Sequence, residues 1–119
     1  MSLNARRKGV RRERDICRRF REAGCDANRD AARLESDGRE TGVDVRATVG
    51  DLRLAIQVRA RRRVSAFTAL EDARGGALPD EIPVAFVRRT HGLERADDLV
   101  VLSEDHFLAL CARLAMEAV

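Results

Sequence analysis

The stretch that decides the fold is Val43-Asp-Val-Arg-Ala-Thr-Val-Gly-Asp-Leu-Arg-Leu-Ala-Ile-Gln-Val-Arg59. Apolar and polar residues alternate on both sides of Gly50-Asp51, which predicts two half-buried strands joined in a hairpin. A two-residue Gly-Asp loop is typical of a type II′ or I′ turn, and it pairs Val49 with Leu52 and Val45 with Ile56. Because every apolar residue then meets an apolar partner on one face, the pattern supports this register.

The same register predicts a polar cluster on the other face of the hairpin. Asp44 is expected opposite Gln57, with the two side chains about 5 Å apart, and Arg59 lies two residues further along on the same face. Aspartate is unfavourable in strands, so Asp44 needs a compensating interaction. A solvated aspartate paired with Arg46 or Arg59 and a functional site both satisfy this requirement.

A helix and a loop are predicted before the hairpin. Residues 1–9 are interpreted as a flexible basic arm, and an apolar stripe that starts at Val10 predicts a helix that ends near Gly24. The polar stretch 26–42 predicts a long loop, a feature that is often functional or mobile.

Glu13 lies on the apolar stripe of this first helix. Burying a carboxylate without partners costs several kcal/mol, about 3 or more. The alternatives remain open: a shallow boundary position, a salt bridge to one of the many arginines, or a carboxylate directed at a metal ion shared with Asp44.

Further elements are predicted after the hairpin: a helix over 65–74, strands over 82–88 and 99–102, and a final helix capped by Ser103. The residues expected on the inner side of the final helix are Phe107, Leu108, Cys111, Leu114 and Ala115. This order of elements predicts an α/β fold in which helices pack on a mixed β-sheet. A length of 119 residues fits a single domain over 1–119.

Composition excludes several classes of protein. A hydrophobic content of 45% is too high for a disordered chain. No apolar run reaches the length of a membrane span, and no charged-then-apolar leader is present, so we expect no membrane partner. Three cysteines suit neither a disulfide framework nor a zinc site. We therefore expect reduced thiols in a cytoplasmic protein.

Charge is distributed unevenly along the chain. Residues 1–63 carry a net charge of +8 and residues 64–119 a net charge of −5, and 22 of the 23 basic residues are arginines. Arginine suits bidentate phosphate contacts, and the absence of Trp and Tyr disfavours base stacking. We therefore predict DNA contacts through phosphates. The basic residues proposed for them are Arg6, Arg7, Lys8, Arg11, Arg12, Arg61, Arg62 and Arg63.

Three segments together resemble the PD-(D/E)xK nuclease superfamily, in its archaeal-type Holliday junction resolvase branch with phage and bacterial relatives. They are the helix Lys8-Gly-Val-Arg-Arg-Glu13-Arg-Asp-Ile-Cys-Arg-Arg-Phe, the strand start Gly42-Val-Asp44-Val, and Ile56-Gln57-Val-Arg59, which is similar to the family's Ile-Glu-Val-Lys strand. The later Pro83-Val-Ala-Phe-Val and Leu99-Val-Val-Leu also fit the pattern. The resemblance implies a restriction-endonuclease-like core over nearly the whole chain.

The resemblance also implies a function: a metal-dependent endonuclease that hydrolyses phosphodiester bonds in structured or branched DNA, working as a homodimer. The implied Mg²⁺ or Mn²⁺ ligands are Glu13, Asp44, Gln57 and the backbone carbonyl of Val58. Arg59 would orient the nucleophile or stabilise the transition state, and Ser36 would contact the phosphate backbone.

Two departures from the family pattern keep alternatives open. Gln57 stands where the pattern has an acid, which lowers the expected metal affinity, and Arg59 stands where it has lysine and cannot release a proton. A catalytically weakened or inactive DNA-binding module of the same fold is the first alternative. A small α/β interaction protein whose arginines are compositional is the second.

Overall fold

The computed structural model describes residues 3–29, 43–61, 65–91 and 94–117. Its elements are α1 (Leu3–Glu22), β1 (Asp26–Arg29), β2 (Val45–Val49), β3 (Leu52–Arg61), α2 (Ala66–Gly76), β4 (Glu81–His91), β5 (Glu94–Val101) and α3 (Glu104–Glu117). The strands form one five-stranded sheet in the order β1-β2-β3-β4-β5. Strands β3 and β4 are parallel and the other neighbours antiparallel. The mixed sheet with its N-terminal helix confirms the predicted fold class.

The β2–β3 hairpin has the predicted register, with Val45 paired to Ile56 and Val49 to Leu52. Gly50 has a φ of +61°, whereas Asp51 has no positive φ. A positive φ at the first loop residue alone is the mark of a type II′ turn. The sequence pattern therefore predicted the pairing of the strands correctly, and the backbone φ values show that the turn is of type II′.

The two faces of the sheet are covered by different helices. On one face, Cys17 of α1 packs in a cluster with Val45 and Ile56, and the Phe20 ring lies 5.9 Å from that of Phe86. On the other face, Ala69 of α2 packs against strand β4 in a second, smaller cluster. Helix α2 also makes the crossover that the parallel β3–β4 pair requires. The β3 strand is therefore covered on both faces.

Helix α1 begins earlier than predicted. The expected flexible arm is wrong for residues 3–9, because the helix starts at Leu3. This segment contains mainly good helix formers, with alanine, leucine, arginine and lysine at five of its seven positions. The other end agrees with the prediction: Gly24 has a φ of +88°, and the Cys25 N–H donates to the Phe20 carbonyl at 2.9 Å, as in a Schellman motif.

Strand β1 was not predicted, because 26–42 was interpreted as a loop. Residues 26–29 pair antiparallel with β2, and Ala27 is buried opposite Ala47. With one apolar residue in four, this strand has no alternation that a sequence reading can detect. Residues 30–42 lie outside the described part of the chain. Strands β4 and β5 extend beyond their predicted bounds of 82–88 and 99–102.

Helix α3 is capped as predicted but packs differently. Ser103 Oγ accepts a hydrogen bond from the His106 N–H at 3.2 Å. The expected inner side is wrong: no residue of α3 is buried, and Phe107, Leu108 and Leu114 are each more than half exposed. The apolar stripe therefore faces solvent in a single copy of the chain.

The predicted thiols and the membrane prediction can also be compared with the structure. Cys17, Cys25 and Cys111 are all free, with Cys17 buried and Cys111 exposed. Within the described ranges, no helix has the length and apolar character needed to cross a membrane. The cytoplasmic location stays a prediction.

Candidate active site

Asp44 is fixed at the end of the hairpin by two hydrogen bonds to β3. Its N–H donates to the Ile56 carbonyl at 2.8 Å, and its Oδ2 accepts from the Val58 N–H at 2.8 Å. Only 6% of the residue is exposed. The carboxylate therefore lies against the backbone of β3 and not in solvent.

The backbone at Asp44 departs from the predicted pairing. The ladder ends at Val45 and Ile56, and the Asp44 N–H donates to the Ile56 carbonyl, whereas the predicted register pairs Asp44 with Gln57. Asp44 is thus not in register with Gln57; its carboxylate reaches across to the next residue, Val58.

Gln57 is buried at the same end of β3. The residue is 2% exposed, and it pairs with Ala85 of β4 on the face that α2 covers. Among the described residues, its Oε1 is buried without a hydrogen-bond partner. Leaving a buried carbonyl oxygen unsatisfied costs about 1–3 kcal/mol. A buried polar atom of this kind calls for a ligand or another explanation.

Arg59 is held between β3 and α2. Its Nη1 donates to the Val58 carbonyl at 3.3 Å, and its Nη2 pairs with Asp72 Oδ2 at 2.7 Å. Asp72 was not singled out in the sequence. The two residues are 13 positions apart, and their contact joins a strand to a helix, so no local sequence pattern predicts it.

Glu13 is buried on the inner side of α1. It is 6% exposed, and its Oε1 accepts a hydrogen bond from Arg29 Nε at 3.1 Å. The hypothesis of a salt bridge to an arginine is therefore confirmed. Arg29 pairs with Val45, the residue after Asp44, so this ion pair lies toward the same end of β2. A shared role of Glu13 with Asp44 and Gln57 at one metal ion stays a prediction.

The oxygen atoms around the end of the hairpin fit a hard divalent cation. They comprise the Asp44 carboxylate, the Gln57 side-chain carbonyl and the Val58 backbone carbonyl, and oxygen ligands are those that Mg²⁺ and Mn²⁺ prefer. The unsatisfied Gln57 Oε1 is the observation that favours a ligand here. Over the described ranges, no three His, Cys, Asp or Glu side chains form a metal-binding group. A cation held here would therefore depend on neutral carbonyl groups as well as on Asp44.

The predicted DNA-contacting arginines differ in exposure. Arg11 is exposed, whereas Arg12 is only 9% exposed and pairs with Asp15 at 3.2 Å and with Asp98 at 3.8 Å. Burial, with the nearby charge of Arg88, lowers the pKa of Arg12 from its ordinary value. The Arg12 guanidinium therefore makes its contacts within the protein, from α1 to Asp15 and to Asp98 of β5, and a contact between Arg12 and DNA stays a prediction.

The remaining predicted DNA contacts involve side chains outside the described part of the structure. Residues 6–8 belong to α1 and residue 61 ends β3. The side chains of Arg6, Arg7, Lys8 and Arg61 lie outside the described part of the structure, as do the whole of Ser36, Arg62 and Arg63.

Comparison with known proteins places the chain in a family. Residues 4–75 match the family model of the archaeal Holliday junction resolvase, Hjc. Among solved structures, the chain is similar to a Holliday junction resolvase, Hjc, of the archaeal hyperthermophile Archaeoglobus fulgidus. The two are 25% identical over 77% of this chain and 71% of the other, with a TM-score of 0.47. No curated protein matches.

The family match covers more than half of the chain, and the chain therefore belongs to the archaeal Holliday junction resolvase (Hjc) family. Membership supports a DNA-binding, junction-resolving nuclease.

Proposed function

We propose that this protein is a metal-dependent endonuclease that hydrolyses phosphodiester bonds in branched DNA. The observation that carries the proposal is the arrangement around Val58, in a chain of the Hjc family. Its N–H holds the Asp44 carboxylate at 2.8 Å, and the preceding residue has a buried, unsatisfied carbonyl oxygen. Such an arrangement is costly for folding alone, and a bound cation would satisfy it.

The proposed metal ligands are Asp44, Gln57 and the Val58 carbonyl, with Glu13 as a further ligand, direct or through water. A bound Mg²⁺ or Mn²⁺ supplies Lewis-acid chemistry for an attacking water and for the charge of the scissile phosphate. Arg59 provides a positive charge that stabilises negative charge developing on the phosphate. It stays protonated at working pH, so it contributes no general base.

We also propose that the protein acts as a homodimer, since symmetric cutting of two strands needs two sites related by a two-fold axis. The surface proposed for this contact is formed by α3 and β5. Its exposed apolar side chains are Leu99, Val100, Phe107, Leu108, Leu114 and Met116.

Cleavage of a four-way junction with Mg²⁺ or Mn²⁺ tests the proposal. Asp44→Ala removes the proposed carboxylate ligand that immediately precedes β2, and we expect it to lower the cleavage rate by about 100-fold or more, as with loss of one key electrostatic group. Asp80→Ala is the matched control, because Asp80 is an exposed aspartate that pairs with Arg53. Equal cleavage by wild type and Asp44→Ala would contradict the proposal.

A second candidate is a DNA-binding module that keeps the fold without cleavage. The observation that favours it is Gln57, a neutral residue where the family pattern has an acid. Tight junction binding at low salt with no cleavage in either metal would identify this candidate. Cleavage that appears only in Gln57→Glu would show that metal affinity limits the site. No binding at low salt would leave the interaction-protein alternative.

A further inference from the structure

The ion pair between Arg59 and Asp72 joins the candidate site to the helix that covers it. Arg59 Nη2 lies 2.7 Å from Asp72 Oδ2, while Nη1 donates to the Val58 carbonyl at 3.3 Å. The guanidinium therefore spans the distance between α2 and the backbone oxygen that the proposed function assigns to the metal. Arginine has five N–H donors, so two contacts leave donors that a phosphate can use.

Asp72 is carried on a rigid part of the fold. The next residue, Ala73, is fully buried, and Ala69 and Leu70 of the same helix are also buried. Helix α2 packs against β4 through Ala69. A carboxylate on a packed helix holds its partner more closely than one on a loop, because the position of its backbone is fixed.

A second ion pair shows what an ordinary surface contact looks like in this chain. Arg53 and Asp80 are also 2.7 Å apart, but their side chains are 49% and 58% exposed. The Arg59 and Asp72 side chains are 24% and 40% exposed. The distances are equal, so the difference lies in burial and in the contact of Arg59 with the Val58 carbonyl.

We infer that Asp72 is a positioning residue for Arg59: its carboxylate fixes the guanidinium beside the Val58 carbonyl, so that the remaining N–H donors are available to the scissile phosphate. The inference rests on the proposed function. A lysine at this position would act as a point charge on a flexible stem, whereas an arginine's planar fork must be oriented to be effective. Asp72 supplies that orientation for Arg59, which stands where the family pattern has lysine.

Single-turnover cleavage of a four-way junction tests the role of Asp72. Asp72→Asn should lower the cleavage rate by about 10- to 100-fold, as loss of a supporting carboxylate typically does. The junction Kd, measured with Ca²⁺ in place of Mg²⁺, should change by less than about 3-fold, because a positioning role affects kcat more than binding. Asp72→Glu should restore most of the rate, and Asp80→Asn is the matched control.

A double variant separates positioning from a general loss of structure. Asp72→Asn combined with Arg59→Ala should be no slower than Arg59→Ala alone, since Asp72 acts through Arg59. If Asp72→Asn cleaves at the wild-type rate while Asp44→Ala does not cleave, the inference is overturned and the proposed function stands.

Nuclear magnetic relaxation of the Arg59 Nε–H gives a readout that is independent of cleavage. The group should be ordered in the wild-type protein, mobile in Asp72→Asn and ordered again in Asp72→Glu. If the wild-type protein fails to cleave, the proposed function fails, but this measurement still decides whether Asp72 holds the guanidinium. Unchanged order in Asp72→Asn would overturn the inference.

Discussion

Two adjacent arginines of α1 show that equal charges in the sequence have different uses. Arg11 is exposed, whereas Arg12 is 9% exposed with two aspartate partners. A solvated guanidinium can displace counterions from DNA when it neutralises a phosphate. A guanidinium that is already paired inside the protein cannot do so without breaking its own contacts.

Arg11→Gln should therefore weaken DNA binding and reduce the slope of log K against log salt by about 1. Arg12→Gln should leave this slope unchanged and lower the free energy of unfolding by about 1–2 kcal/mol. This loss is smaller than that expected for breaking a fully buried ion pair, because the Asp98 side chain is 39% exposed. Binding titrations at several salt concentrations and urea denaturation measure the two quantities. A slope that falls equally in both variants would contradict this assignment.

The hairpin of β4 and β5 depends on a paired carboxylate, and this gives it a pH dependence. Asp98 Oδ1 accepts a hydrogen bond from Arg88 Nε at 2.6 Å, and Oδ2 accepts one from Nη2 at 3.0 Å. The hydrogen bonds from Arg88 hold the pKa of Asp98 below its ordinary value. A carboxylate with a lowered folded-state pKa stabilises the protein fully above its unfolded pKa, which is about 3.9. That contribution is lost as the pH falls through the folded value.

We expect Asp98→Asn to be less stable than the wild type at about pH 7, and the difference to shrink as the pH falls below about 4. The difference in stability between the wild type and Arg88→Gln should also shrink as the pH falls, because this substitution removes the donor that lowers the pKa of Asp98. Urea midpoints over this pH range provide the measurement. A difference that stays constant down to about pH 3 would show that Asp98 acts through packing alone.

The elements differ in how far they were predictable from sequence. The β2–β3 hairpin was predicted because its alternation of apolar and polar residues and its Gly50-Asp51 turn are both visible within a short stretch of sequence. Strand β1 was not, because it is held by pairing with β2 and carries one apolar residue. The hairpin pattern predicted a polar cluster with Asp44 opposite Gln57, but the contact of Asp44 with Val58 and that of Arg59 with Asp72 depend on backbone and helix placement. Neither of these leaves a periodic pattern.

For the whole molecule, the exposed surface of α3 and β5 is the feature most relevant to assembly. A stripe that sequence periodicity assigns to an interior lies in solvent, with Leu108 55% exposed. Contiguous exposed apolar surface can mark an interaction site. The proposed second copy would supply the missing partner.

Leu108→Glu should convert the dimer to a monomer, since it places a charge in the proposed interface. Leu78→Glu is the control, because Leu78 is 47% exposed and lies outside α3 and β5. Sedimentation equilibrium measures the mass, and the stability of the monomeric fold should change by less than about 0.5 kcal/mol. A wild-type protein that sediments as a monomer at all concentrations would contradict the dimer proposal.

The tight turn between β2 and β3 allows these strands to pair early in folding, before the parallel β3–β4 pair forms. A hairpin closed over Gly50 and Asp51 can form within about 1–10 μs. Strand β4 can pair with β3 only after the segment that contains α2 has crossed one face of the sheet. Asp44 and Val58 are therefore brought near each other by short-range closure. The burial of Gln57 comes later, when the slower long-range contacts of β4 and α2 are made.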